Sequence, residues 1–128
     1  MKEADQKPSD GELEILQELW AKPGQTVQEI HSRIELRKKV GYTTTLKQIQ
    51  RMFEKKMVSR TKETKSFIYF AILDETTTKN SIFNRLTKTL FKGSSKEMML
   101  HLLGNQTNSK EELSELKKWI EQQENKDK

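Results

Sequence analysis

Apolar residues recur along the first third of the chain at spacings of three and four, and the runs are punctuated by residues that start and stop helices. Leu13, Leu16, Leu19 and Trp20 fall on one helical face. They follow Ser9-Asp10-Gly11-Glu12, which has the S/T-x-x-E form whose two end residues cap each other's backbone amides. This spacing predicts a helix over 11–21, broken by Pro23-Gly24. Thr26-Val27-Gln28-Glu29 opens a second, short helix with the same box, and Val27, Ile30 and Ile34 line its inner face. After a basic turn over 37–41, Thr43, Thr44 and Thr45 offer several N-caps and Thr45-x-x-Gln48 a third box. Leu46, Ile49, Met52 and Phe53 then form a buried stripe, so the third helix is expected to end near Lys56.

The period then shifts from helical to alternating. Val58 and Arg60 lead into the polar turn Glu63-Thr64-Lys65-Ser66, and Phe67 to Ile72 is rich in aromatic and β-branched residues, so the two stretches read as a β-hairpin. Three helices followed by a hairpin make a winged helix-turn-helix, with the third helix as reading element and the hairpin as wing. Beyond it, 74–79 reads as a polar, threonine-rich connection. Ile82, Phe83, Leu86, Leu90 and Phe91 mark a fourth helix ended by Gly93. Ser94-x-x-Glu97 boxes a fifth helix, 98–103, stopped by Gly104, and Ser109-x-x-Glu112 opens a sixth with Leu113, Leu116, Trp119 and Ile120 on one face, followed by a charged tail over 122–128. The expected class is mainly α with a small β-hairpin (α+β), in two domains: a DNA-binding winged helix over 1–74 and a helical dimerisation region over 75–128.

Composition sharpens this division. Hydrophobic residues make up 32% of the 128 and charged residues 34%, too few apolar side chains for an ample core of its own, so a partner chain is expected to complete the core. The stripes of the last three helices, Ile82, Phe83, Leu86, Leu90, Met98, Leu102, Leu113, Leu116, Trp119 and Ile120, are the candidate homodimer contacts. The absence of cysteine removes disulfides, thiolate metal sites and cysteine nucleophiles. No stretch has the apolar length to cross a bilayer and the opening MKEADQKPSDGE is too polar for a secretory signal, so a cytoplasmic location without membrane insertion is expected.

Charge places the candidate chemistry. From Arg33 to Lys65 there are eleven cations against three acids, a net +8 in a chain whose total is +5, a concentration that suits a polyanion. A recognition helix presents its N-terminal half to base edges while surrounding cations and hydroxyls hold phosphates. In the third helix Tyr42, Thr43, Thr44 and Thr45 stand at the start; Gln48 suits bidentate pairing with adenine, and Lys47 and Arg51 suit guanine or phosphate. Lys62 and Lys65 extend the basic surface onto the wing. His31 and His101 are far apart and have no ligand pattern around them, so both read as packing or surface residues, as do Met98, Met99, Trp20 and Trp119. No convergent nucleophile, base or metal set appears, so neither an enzyme nor a cofactor is expected.

Four segments together, LEILQELW (13–20), TVQEI (26–30), YTTTLKQIQRMFEKKMVSR (42–60) and FIYFA (67–71), resemble the penicillinase-repressor family, also called BlaI/MecI/CopY, over nearly the whole chain. The resemblance implies a bacterial transcriptional repressor that binds a short palindromic operator in double-stranded DNA as a homodimer and controls β-lactamase, methicillin-resistance or copper-transport genes. It also implies a membrane sensor protease as partner in the branch that is cut at an Asn-Phe bond. Here the aligned residues are His101-Leu102, inside the apolar run 98–103, where burial is expected. The cysteine pairs of the copper-responsive branch are absent, and Lys56 stands where a glycine is expected after the third helix. The competing reading from another class is a winged helix that contacts an acidic protein partner and has no sequence-specific DNA binding; salt-sensitive, sequence-selective binding to a palindrome separates the two.

Overall fold

The computed structural model describes residues 7–104 and 109–126. Six helices and one hairpin follow in the order α1 (Asp10–Ala21), α2 (Val27–Glu35), α3 (Tyr42–Glu54), β1 (Val58–Glu63), β2 (Ser66–Ala71), α4 (Glu75–Phe91), α5 (Ser95–Gly104) and α6 (Lys110–Lys126). The first helices start where local capping chemistry dictates. Ser9 Oγ accepts from the Glu12 amide at 3.2 Å and Glu12 Oε1 accepts from the Ser9 amide at 2.9 Å; Thr26 and Glu29 repeat the arrangement at 3.1 and 2.9 Å. Between them Gly24 turns the chain at φ +79°, and a Cβ there would stand 3.1 Å from the Phe70 ring. Gln25, fully buried, closes α1 from its far end: its Nε2 donates at 2.8 Å each to the Lys22 carbonyl beyond the last turn and to the Glu18 carbonyl, which also accepts from the Lys22 amide.

The third helix begins differently from the sequence expectation. Its N-cap is Gly41, which has no side chain to offer, and the three threonines lie inside the first turn. It ends as the capping rules require. Lys56 takes the left-handed conformation at φ +65°, and the Lys56 and Met57 amides return to Phe53 and Met52 at 3.1 and 2.9 Å, so a lysine performs the turn for which glycine was expected.

Ile15, Leu16 and Leu19 of α1, Ile30 and Ile34 of α2, and Ile49 and Met52 of α3 meet in one core, closed by Met57, just before β1, and by Val58 and Tyr69 of the hairpin. The strands pair antiparallel with Val58 opposite Ala71 and Lys62 opposite Phe67, and Gln25 bridges to Tyr69 from outside. Alternation gives the hairpin one inner face, Val58, Arg60 and Lys62 against Phe67, Tyr69 and Ala71. That face is apolar near the core and cationic toward the tip.

The stretch over 74–79 is not a connection. Asp74 caps α4, its Oδ2 accepting from the Thr77 amide and hydroxyl at 3.0 Å each, and Leu73 and Thr78 are buried. Trp20 Nε1 donates to the Leu73 carbonyl at 2.9 Å, which ties α1 to the residue before the cap. The chain divides into two compact units at Phe83–Asn84, within α4, where the sequence reading placed a boundary after residue 74. In the second unit Ser94 and Ser109 cap α5 and α6 as expected, at 3.1 Å to the Glu97 and Glu112 amides. Helix α6 runs to Lys126, through most of what reads in the sequence as a charged tail.

Candidate nucleic-acid interface

Burial of Thr45, Ile49 and Met52 fixes the rotation of α3 and hence what it presents outward. Thr43, Lys47, Gln50 and Glu54, at i, i+4, i+7 and i+11, form the centre of the exposed stripe, with Thr44 and Arg51 beside it and Tyr42, 42% exposed, at its start. Two residues in the expected reading set stand elsewhere. Thr45 is buried, with its hydroxyl 2.9 Å from His31 Nδ1, because it faces α2 and not solvent. Gln48 is half-buried and lies against the first turn of α1, so close that a Cβ on Gly11 would meet its Nε2 at 2.7 Å. Gln50, outside the set expected from the sequence, occupies the outward position. Its spacing of seven from Thr43, opposite Ile49 and Met52, was the available signal.

The wing adds a second residue not singled out from sequence. The Arg60 guanidinium is stacked between the rings of Phe53 and Phe67, 3.9 and 4.1 Å from their centroids, and Lys62 Nζ lies 4.8 Å over Phe67. Each such cation–ring contact contributes about 0.5–1 kcal/mol at an exposed site, enough to favour one pose of the wing against α3. Thr26, Tyr42, Gln50, Arg60 and Lys65 help to line a recess of ≈ 270 Å³ between α2, α3 and the wing.

The basic segment does not form one surface. Arg37 pairs with Glu18 at 2.8 Å and Lys38 with Glu14 at 2.7 Å, with Arg33 at 3.8 Å from Glu18, so these cations are compensated by α1. Lys55 pairs at 2.8 Å with Glu12, whose carboxylate is buried. Burial pushes the Glu12 carboxyl up, but Lys55 and the Ser9 amide and hydroxyl outweigh it and hold the group below the usual glutamate range. Lys47, Arg51, Lys62 and Lys65 make no ion pair with any described residue; these four stand on the outward side of α3 and on the wing. Lys39, Lys56 and Arg60 of the same segment are likewise outside these ion pairs, and Glu54 and Glu63 are the acids on the stripe and wing.

The candidate dimer contacts are mostly uncovered in the single chain. Phe83, Leu86, Leu90, Leu102, Leu113, Leu116, Trp119 and Ile120 are exposed, Trp119 to 57%, while Ile82 and Met98 are half-buried. Within the second unit the Thr87 hydroxyl lies 3.3 Å from Met98 Sδ and the Phe91 and His101 rings are 5.8 Å apart, which packs the end of α4 on α5. His101 and Leu102 are exposed, against the expectation of burial, because no described residue of α5 or α6 is buried within the chain. Among the described residues no group of three His, Asp or Glu is placed to hold a metal ion, and no helix is long and apolar enough to cross a membrane.

The family model described as penicillinase repressor matches residues 8–122. The methicillin resistance regulatory protein MecI of Staphylococcus aureus (strain N315) is 24% identical over 109 residues, covering 85% of this chain and 89% of that protein. The protein of the same name from Mammaliicoccus sciuri is 23% identical over the same coverage. Among solved structures, a point mutant of Lactococcus lactis ZitR aligns with a TM-score of 0.48 at 13% identity, covering 97% of this chain and 78% of that one.

Proposed function

The chain belongs to the penicillinase repressor family, and we propose that this winged-helix repressor acts as a homodimer that binds a palindromic operator in double-stranded DNA. The observation that supports the reading is the group Lys47, Arg51, Lys62 and Lys65, exposed on α3 and the wing without ion pairs among the described residues, beside the exposed hydroxyl and amide side chains of Thr43, Thr44 and Gln50. Thr43, Thr44 and Gln50 then meet base edges or phosphates from the helix, Lys47 and Arg51 reach guanine or phosphate, and Lys62 and Lys65 hold the backbone from the wing. Neither Thr45 nor Gln48 is given a direct contact.

Dimerisation is assigned to the exposed apolar side chains of α4, α5 and α6, among them Leu86, Leu90, Leu102, Leu113, Leu116, Trp119 and Ile120, which a second copy of the chain would take out of water. The relatives are named for methicillin resistance, and the genes controlled here are proposed to be of the antibiotic-resistance type.

The test is selection of duplexes from a randomised pool by the full chain, followed by titration of the enriched duplex at several salt concentrations. A palindrome with half-sites about one helical turn apart is expected. Log affinity should fall against log salt with a slope of about −0.9 per phosphate neutralised. Failure to enrich any sequence, with weak binding to all duplexes alike, would favour the acidic-protein partner instead.

A further inference from the structure

The start of α3 lacks the support that the other capped helices carry. Gly41 contributes no capping side chain, and nothing stands within 4 Å of where one would be. A neighbour on α2 holds the turn instead. His31 is 4% exposed, its Nδ1 is 2.9 Å from the Thr45 hydroxyl, and its ring meets that of Tyr42 edge-on at 5.6 Å and 88°. Its Nε2 lies 3.3 Å from the Glu35 carboxylate. A carboxylate has no proton to give, so it favours the tautomer protonated at Nε2, and Nδ1 is left to accept from the Thr45 hydroxyl. Tyr42 and Thr45 are three residues apart, on the same side of the first turn, and His31 grips both.

We propose that His31 is a positioning residue for DNA reading: it fixes the rotation and depth of the N-terminal half of α3, and so of Thr43, Thr44 and Lys47, without itself touching DNA. The proposal rests on the operator-binding reading above. Base discrimination depends on hydrogen-bond geometry that weakens steeply with misalignment, so loosening this turn lowers selectivity more than it lowers overall attraction to DNA.

The test compares full-length His31→Leu, His31→Asn and Thr45→Val with the parent chain. Leucine keeps the bulk without an acceptor. Asparagine places its Oδ1 near the lost Nδ1, and valine removes only the hydroxyl. Two quantities are read at a temperature where each variant is folded: hydrogen exchange of the 45–49 amides, the first in α3 with backbone acceptors, without DNA, and the affinity ratio for the duplex enriched by the parent chain over a scrambled duplex.

His31→Leu and Thr45→Val should each speed exchange in that turn and lower the ratio about tenfold, the scale of one net hydrogen bond. The double variant should be no worse than His31→Leu, and His31→Asn should recover most of both losses. Unchanged exchange and ratio in Thr45→Val, or equal loss on both duplexes with no rescue by asparagine, overturns the proposal even if His31→Leu does not fold. If the parent chain enriches no duplex, the operator reading fails and the proposal with it; enrichment with an unmoved ratio in the variants refutes the positioning role alone.

Discussion

Replacing Gln50 by alanine should remove a base contact, whereas replacing Gln48 should not, because the two amides differ by two helical steps and point to different neighbours. Gln50 lies on the exposed stripe with Thr43 and Lys47, while Gln48 packs on Gly11 at the start of α1. A lost bidentate contact is worth about 1–3 kcal/mol of discrimination, and a symmetric dimer loses it at both half-sites, so Gln50→Ala should cost about 2–6 kcal/mol on the palindrome. That is about 30-fold to about 2 × 10⁴-fold in affinity. On random duplex the same variant should lose less than about twofold, and its salt slope should match the parent, since no phosphate contact is removed. Gln48→Ala should change the palindrome-to-random ratio less than about twofold and lower stability by less than about 1 kcal/mol, as expected for a half-buried amide without a network. Fluorescence anisotropy on labelled palindrome and random duplexes at several salt concentrations, beside thermal unfolding, measures all of these. Selective loss in Gln48→Ala with an unaffected Gln50→Ala would refute the assigned rotation of α3.

The Glu12 carboxyl is held below its ordinary range in the folded chain, so its contribution is fully present above the unfolded value and is lost as pH falls through the folded one. Glu12→Gln should therefore destabilise by about 1 kcal/mol at neutral pH, a modest figure because the Lys55 side chain is 53% exposed, and the deficit should close in strongly acidic solution; parallel stability curves down to that range would refute it. A fragment ending at Phe83 should be a folded monomer, whereas one ending at Asp74 loses the buried Thr78 and the turn that Asp74 caps, and should unfold at lower temperature; sedimentation and calorimetry decide. A protease selective for Asn-Phe should leave His101-Leu102 intact, as mass spectrometry of the digest would show, while an engineered cut there should abolish tight palindrome binding by separating interface helices and removing the effective concentration of the second half-site.

What the sequence by itself determined is the set of features that depend on residues three or four apart. The boxes at Ser9 and Thr26, the serine caps of α5 and α6 and the alternation of the hairpin are local, because capping, helical spacing and strand pleat act within one turn or two residues. Asp74 escaped because the threonine run after it has low helix propensity and reads as a loop; the Asp74 cap and the long-range Trp20 bond to the Leu73 carbonyl hold the start of the helix against that preference. What only the tertiary structure decided is which partner each side chain meets. Thr45 turns inward to His31, fourteen residues away, Lys55 reaches Glu12 across forty-three, and Trp20 meets Leu73 across fifty-three. The same packing sends Gln48 to α1 and Gln50 to solvent, and it divides one basic segment into cations matched by α1 carboxylates and cations facing outward. A helix advances about 100° per residue, so the side that faces solvent is set by which neighbours the core brings against it.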